Sequence, residues 1–206
     1  MDFIVRLFID GGATMIVIGF FNLIALFIVL ERIFFLYFRA NINAHRFMDR
    51  IYAMFKEKQI NEAITLCNQR NKPFTKLIGA ALQNYENTDR GIQDSMDEVF
   101  LTESPRIKRY TPFLTVIGQI ATLLGLLGTI VGLIEAFDAL AGTGAADRTE
   151  QLALGISKAM ATTAYGLIVA VFCIFTFAFL NLKIDRIIDD IDEYSVKIVN
   201  FIHKYR

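Results

Sequence analysis

Thr129 and Thr163 are the residues of this chain whose type and setting could do chemistry. Each lies in a long uncharged run, Thr129 within Tyr110 to Ile134 and Thr163 within Ala159 to Leu182, among small side chains. If the runs belong to antiparallel helices over 110–137 and 155–182, each hydroxyl lies about eight residues, or roughly 12 Å at the helical rise, from the outer end of its helix, and both sit at one depth. Two level hydroxyls on small-residue faces can bind water or an ion, or can contact a titrating group from another chain. A threonine in such a helix can equally bond its own backbone, and residue type alone does not choose between these uses. No Asp, Glu or His interrupts either run, nor the uncharged run from Gly11 to Leu30. The chain therefore has no acid at mid-span to carry a proton by itself, and another component must supply one.

The elements that position these threonines follow from the three runs. Gly11 to Leu30 is 20 residues long, enough for a helix to cross a hydrocarbon core, and the other two runs are longer still. Three transmembrane helices are expected. The segment from Arg39 to Arg109 holds 12 Lys and Arg residues, whereas Asp138 to Leu154 holds only Arg148. The positive-inside rule places the larger segment in the cytoplasm, most firmly at its ends, where Arg39, Arg46, Arg50, Arg106, Lys108 and Arg109 cluster. The N-terminus is then outside and the C-terminus cytoplasmic. Met1 to Gly12 lacks a basic region followed by a small-residue cleavage site, so the first run is expected to remain in the mature protein.

The expected fold is an all-α integral membrane protein, three transmembrane helices with long cytoplasmic helical extensions. Residues 1–10 form a short outer N-terminus, 11–38 the first span and its extension, and 39–109 a cytoplasmic helical domain. Residues 110–137 form the second span, 138–154 a short outer loop, 155–182 the third span, and 183–206 a cytoplasmic helix. Within the cytoplasmic part, apolar spacing predicts helices over Ala44 to Lys58, Asn61 to Arg70 and Phe74 to Tyr85, with breaks at Asn71 to Pro73 and Asn87 to Gly91. From about Ile92 one long helix is expected to run into the second span, with Pro105 and Pro112 as kink positions. The tail sets Ile187, Ile188, Ile191, Ile198 and Ile202 against Asp185, Asp189, Asp190 and Asp192, a stripe suited to association between neighbouring copies.

Small residues mark one face of each of the last two spans: Gly118, Gly125, Gly128 and Gly132 with Thr122 and Thr129 on one, Gly155, Ala159, Thr162, Gly166, Ala170 and Cys173 on the other. Such faces let helices pack closely in lipid. Glu31 with Arg32 ends the first span, and Glu135 and Lys158 mark the outer ends of the second and third. A charge at membrane depth costs about 2.5–3.5 kcal/mol, less near an interface, so Glu135 and Lys158 are expected to pair across the outer mouth.

Composition agrees with a membrane protein: 54% hydrophobic, 20% charged, mean hydropathy +0.45. With 21 basic and 21 acidic residues there is no basic surplus to suggest nucleic acid as a partner. Cys67 lies in a polar stretch and Cys173 in an apolar one, which reads as a surface thiol and a buried filler rather than a disulfide. There is no phosphate-binding glycine loop, no HExxH, and only two histidines, His45 and His203, each expected at the surface. No metal site, cofactor or catalytic constellation is expected, and the chain does not read as an enzyme.

Leu123 to Gly132, LLGLLGTIVG, resembles the second-span signature of the ExbB, TolQ and MotA superfamily, with Thr129 at its threonine. Ala159 to Leu167, AMATTAYGL, is similar to the third-span signature, and Thr163 falls on the second pore threonine of ExbB and TolQ. Weaker likeness covers Leu30 to Leu36 and Glu62 to Leu82, and the short outer segments suit ExbB or TolQ better than MotA. The resemblance implies five copies around a pore in the bacterial inner membrane, enclosing the helices of two copies of an ExbD-like or TolR-like single-span partner. An Asp of that partner titrates beside the threonine ring, and ion flow drives rotation that reaches outer-membrane transport through a TonB-like protein, or envelope maintenance through a TolA-like one. The chain departs from the family pattern at Thr122, where proline is usual, and at Lys158, where an acid is usual. Thr122 and Thr162 would add hydroxyls to the path, so protons are expected to be the ion while sodium stays open. The alternative is a non-conducting membrane scaffold whose small-residue faces serve assembly alone.

Overall fold

The computed structural model describes residues 12–142 and 148–205, and every element among them is a helix. The expected outer N-terminus, residues 1–10, lies outside the described residues. In chain order the elements are α1 (Gly12–Phe34), a π-helical turn (Phe35–Ala40), α2 (Ala44–Lys56), α3 (Ile60–Arg70), α4 (Pro73–Gln83), α5 (Asp89–Lys108), α6 (Thr111–Gly142) and α7 (Arg148–Tyr205). The chain divides into two units, one holding described residues 12–30 and 110–179, the other 31–109 and 180–205.

The first unit contains the apolar parts of α1, α6 and α7. Three helical stretches are long and apolar enough to cross a membrane, and only 22–28% of the residues in their most apolar windows are buried within the chain. Phe20, Phe27, Leu123, Val171 and Phe175 all point outward. A continuous outward apolar surface of this kind cannot face water, whereas in lipid a helix satisfies its own backbone and needs no polar cover. The chain is a membrane protein with three spanning helices.

α6 and α7 run antiparallel and touch backbone to backbone. A Cβ on Gly166 would lie 2.5 Å from the Ala121 carbonyl oxygen and 3.1 Å from Gly125 Cα. No side chain fits there, so glycine is what permits this separation. The segment expected as the loop 138–154 is shorter than the charge pattern suggested: α6 continues to Gly142 and α7 begins at Arg148. Helix propensity in Ala139 to Ala141 and Glu150 to Leu154 extends the turns past the apolar core.

The second unit has a core of its own. α2 starts where the Asn43 side chain accepts from the Arg46 N–H at 3.1 Å, and it buries Phe47, Met48, Ile51 and Phe55. α3 ends at Asn71, whose φ of 44° lies in the left-handed region that asparagine tolerates. Pro73 then opens α4, where its missing N–H costs nothing. Thr88 caps α5 by accepting from Gly91 N–H at 3.2 Å. Glu103, only 9% exposed at its side chain, accepts from Lys76 at 2.8 Å and Arg106 at 3.0 Å. Arg32 is buried; its guanidinium forks onto Glu31 at 2.5 and 2.7 Å and donates to the Arg106 carbonyl at 3.3 Å, in the last turn of α5, where carbonyls lack helical partners.

Three expectations change here. α5 does not run into the second span: it stops at Lys108, and Tyr110, at φ 63°, turns the chain before α6 begins with Pro112 in its first turn. Pro105 is accommodated inside α5, and Pro112 marks a start rather than a kink. The tail stripe is not left free for neighbouring copies. Ile187, Ile191, Ile198 and Ile202 are buried within the chain and Ile188 is half-buried, with Tyr194 edge-on to Phe74 at 5.6 Å and Phe201 against Tyr52 at 4.3 Å. That packing also pushes the Tyr52 hydroxyl up to about 12, through burial first and then the neighbouring Tyr194 and Asp49. Finally, Cys67 is fully buried rather than at the surface, against the position of Gly79, and burial pushes its thiol up to about 12.

Gly166→Val should force α6 and α7 apart, costing about 1–3 kcal/mol as overpacking does; a clear fall in the unfolding temperature in detergent, larger than that of Gly166→Ala, checks this. Cys67 should resist alkylation near neutral pH in the folded chain and react once the chain is denatured, because too little thiolate exists at a pKa near 12; mass spectrometry of the labelled peptide reads it directly.

Candidate functional site

The seam between α6 and α7 sets the positions of the threonines. Thr162 meets the position of Gly128, Ala159 that of Gly132, Ala136 that of Gly155, and Cys173 that of Gly118. In this register Thr129 and Thr163 lie within about one helical turn of the same level, and the expected glycines all fall along or beside the line of contact.

The four threonines nevertheless have different surroundings. Thr163 donates to the Gly125 carbonyl at 2.8 Å, so its hydroxyl crosses from α7 to α6. Thr129 donates to Leu126 of its own helix at 2.6 Å and is half-buried. Thr122, exposed, donates to Gly118 at 3.1 Å. Thr162 is buried in the seam, where its hydroxyl donates to the Ala159 carbonyl at 2.8 Å and fills the space that Gly128 leaves. That position belongs to helix packing and not to an open path. The other three oxygens keep lone pairs free to accept from water or a protonated acid, or to ligate a cation.

At the end of the seam Lys158 Nζ lies 2.6 Å from Glu135 Oε2, with side chains 33% and 53% exposed. The pair borders a cavity of about 330 Å3 that Gln151, Gly155 and Ser157 also line. The structure thus brings together the two charges expected at the mouth. No charged residue follows on either helix until the chain has crossed the apolar core. Among the described residues no group of three or more His, Cys, Asp or Glu could hold a metal ion.

Two polar features escaped sequence reasoning. Asn22 of α1 donates to the Tyr165 hydroxyl of α7 at 3.2 Å, which ties the first span to the third by a bond that matters where water is absent. Gln119 stands exposed on α6. A signal existed for both, since each is a polar side chain inside an uncharged run, but no spacing rule pairs Asn22 with a residue 143 positions away.

Residues 69–193 match the model of the MotA/TolQ/ExbB proton channel family. Among curated proteins, the chain is 27% identical over 190 residues to a putative biopolymer transport protein ExbB homolog of Methanothermobacter thermautotrophicus, covering 92% of this chain and 67% of that protein. It is 35% identical over 122 residues to the biopolymer transport protein exbB1 of Vibrio cholerae, covering 59% and 53%. It is 24% identical over 133 residues to the Tol-Pal system protein TolQ of Haemophilus influenzae, covering 65% and 58%. The family is one of channels and not of enzymes, and its matched region contains all of α6, α7 as far as residue 193, and the Glu135–Lys158 pair. With three membrane-spanning helices and this match over more than half its length, the chain belongs to the MotA/TolQ/ExbB proton channel family.

Proposed function

We propose that this chain is the channel-forming subunit of an ion-driven motor in a bacterial inner membrane, with its N-terminus outside and its C-terminus in the cytoplasm. Five copies surround a pore that holds two copies of an ExbD-like or TolR-like single-span protein. A TonB-like or TolA-like protein carries the resulting motion toward outer-membrane transport or envelope maintenance. The ion is a proton in preference to sodium, in keeping with the family's description.

One observation carries the reading. Thr129 and Thr163 present hydroxyls near one level on two packed helices, and Thr163 bonds across the seam to Gly125. Neither apolar run contains an acid. Hydroxyls of ordinary threonine do not titrate near neutral pH, so they can only relay to or hold a group that does. An intramembrane Asp from a partner helix supplies that group. It is stabilised while charged by the passing ion, and while neutral by donating its own proton to a lone pair of a threonine oxygen. Glu135 neutralises Lys158 at the mouth, which otherwise would repel an entering cation.

The charge balance of the segments supports the orientation: basic residues concentrate in 39–109, while 138–154 contains only Arg148. The mixture of ExbB and TolQ relatives supports an envelope motor without choosing its cargo.

The first test is the native mass of the tagged protein purified in mild detergent from its own host. A pentamer carrying two small single-span proteins, each with an intramembrane Asp, is the expected result; a homo-oligomer of other stoichiometry without an acid-bearing partner would move the reading to a scaffold. Thr163→Val and Thr129→Val should each lower ion-coupled work by about tenfold or more, the factor that 1.4 kcal/mol of lost stabilisation produces, with the assembly intact and with Thr163→Ser largely active. A scaffold would tolerate all three. At the mouth, Glu135→Gln and Lys158→Gln should be non-additive in activity, with a coupling of about 0.2–1 kcal/mol because both side chains are partly solvated; strictly additive losses would remove the pair from the mechanism.

A further inference from the structure

Gln119 is the polar residue of the second span that the threonine pair does not account for. It is exposed on α6, and among the described residues no group donates to or accepts from its amide. An unpartnered amide in hydrocarbon is strongly disfavoured, because lipid tails offer neither donor nor acceptor.

Its place on the helix is informative. At about 100° per residue, Thr115, Gln119, Thr122 and Thr129 fall within an arc of about 80°, with Leu126 and Leu133 on the same line. The glycine seam occupies the neighbouring arc and is filled by α7. The remaining arc carries Ile120, Leu127 and Ile134, which are apolar. α6 thus has three faces: one packed, one apolar and outward, and one outward but lined with three hydroxyls and an amide. The hydroxyls of Thr115 and Thr122 donate to backbone carbonyls at 2.7 and 3.1 Å, leaving their lone pairs outward. Only Gln119 on this face offers both a donor and a strong carbonyl acceptor that nothing in the chain uses.

We propose that this face lines a hydrated cation path from Thr129 to Thr115, a stretch of about 21 Å along the axis, and that the Gln119 amide is a polar station on it between Thr122 and Thr115. This rests on the motor reading, which places an ion at Thr129, and adds the route by which that ion leaves the threonine level. Gln119 lies ten residues, about 15 Å, from Thr129, on the side away from Glu135. Over that distance the face otherwise offers an ion only the Thr122 hydroxyl. A side-chain carbonyl with flanking hydroxyls can replace part of the hydration shell of a cation, or hold the water through which a proton passes. The amide does not titrate, so it sets no pH dependence of its own and acts by holding water or the ion.

Water access tests this separately from function. Gln119→Cys, Thr129→Cys and Leu127→Cys would be prepared in the full complex, in membranes, and exposed to a small charged thiosulfonate; the unsubstituted chain, with Cys67 and Cys173 both buried, sets the background. Positions 119 and 129 should react and 127 should not, since a thiol in lipid forms no thiolate. Gln119→Leu should lower ion-coupled work about tenfold with the complex still assembled, and Gln119→Asn should keep most of it. Reaction at 129 with none at 119 would overturn the hydrated route and leave the threonine site standing. Reaction at neither position would overturn both, and equal reaction at all three would show that the polar face is not distinct. Full activity of Gln119→Leu would also overturn the role given to the amide.

Discussion

Backbone contact between α6 and α7 at Gly125 and Gly166 is the constraint on which the membrane unit depends. In lipid there is little hydrophobic gain from bringing two helices together, so close packing and interhelical hydrogen bonds must supply the attraction. The Cβ-free surfaces at Gly125 and Gly166 allow the helices near enough for the Thr163 hydroxyl to reach the Gly125 carbonyl at 2.8 Å. With a larger side chain at either position the hydroxyl would fall short and bond to its own helix instead. The same register fixes the far end, where Lys158 meets Glu135 at 2.6 Å. One packing arrangement therefore sets both the threonine level and the Glu135–Lys158 pair.

A helix that packs on one face must sort its polar residues among the others. Thr162 shows the sorting, since its resemblance to a pathway hydroxyl ends once Gly128 is seen to leave space for it. Buried and bonded to Ala159, it fills the seam and fixes the register. Thr129 and Thr122 lie off the seam and keep exposed oxygens. On α7 the neighbouring positions 162 and 163 thus divide the labour: the first fills space and the second bridges to α6. Sequence alone could not separate them, because adjacent residues differ by only about 100° around a helix and the orientation of the seam is a tertiary fact.

Features determined locally were the most legible in the sequence. Three spans followed from uncharged length, the break at Asn71 to Pro73 from residues that end and begin helices, and helix α2 from its apolar spacing. The misreadings share a cause, which is that packing partners are remote. Pro105 and Pro112 suggested kinks in a continuous helix, whereas the chain turns at Tyr110, a tyrosine that no turn rule selects. The isoleucine stripe of the tail was correctly read as needing cover, but Phe74 and Tyr52 of the same chain supply aromatic neighbours at that surface. Cys67 looked exposed because its flanks are polar, yet its helical face points at Gly79. Of the candidate site, the identity of the hydroxyls was legible, while the bond from Thr163 to Gly125 and the burial of Thr162 were not.

The two units use polar groups in opposite ways. In the second unit the two buried charges among the described residues are paired within the chain: Arg32 on Glu31 and the end of α5, Glu103 between Lys76 and Arg106. Such pairing is what burial of a charge requires. In the membrane unit the seam is equally complete, but the outward face of α6 carries hydroxyls and an amide whose remaining hydrogen-bonding capacity is unused. Lipid cannot use it, and the first unit buries only about a quarter of its most apolar windows. Lipid suits the apolar faces, but whatever meets the polar face of α6 must bring water or polar atoms. One unit thus uses its polar groups up within the chain, while the other keeps its unused hydrogen-bonding capacity on one outward face of α6.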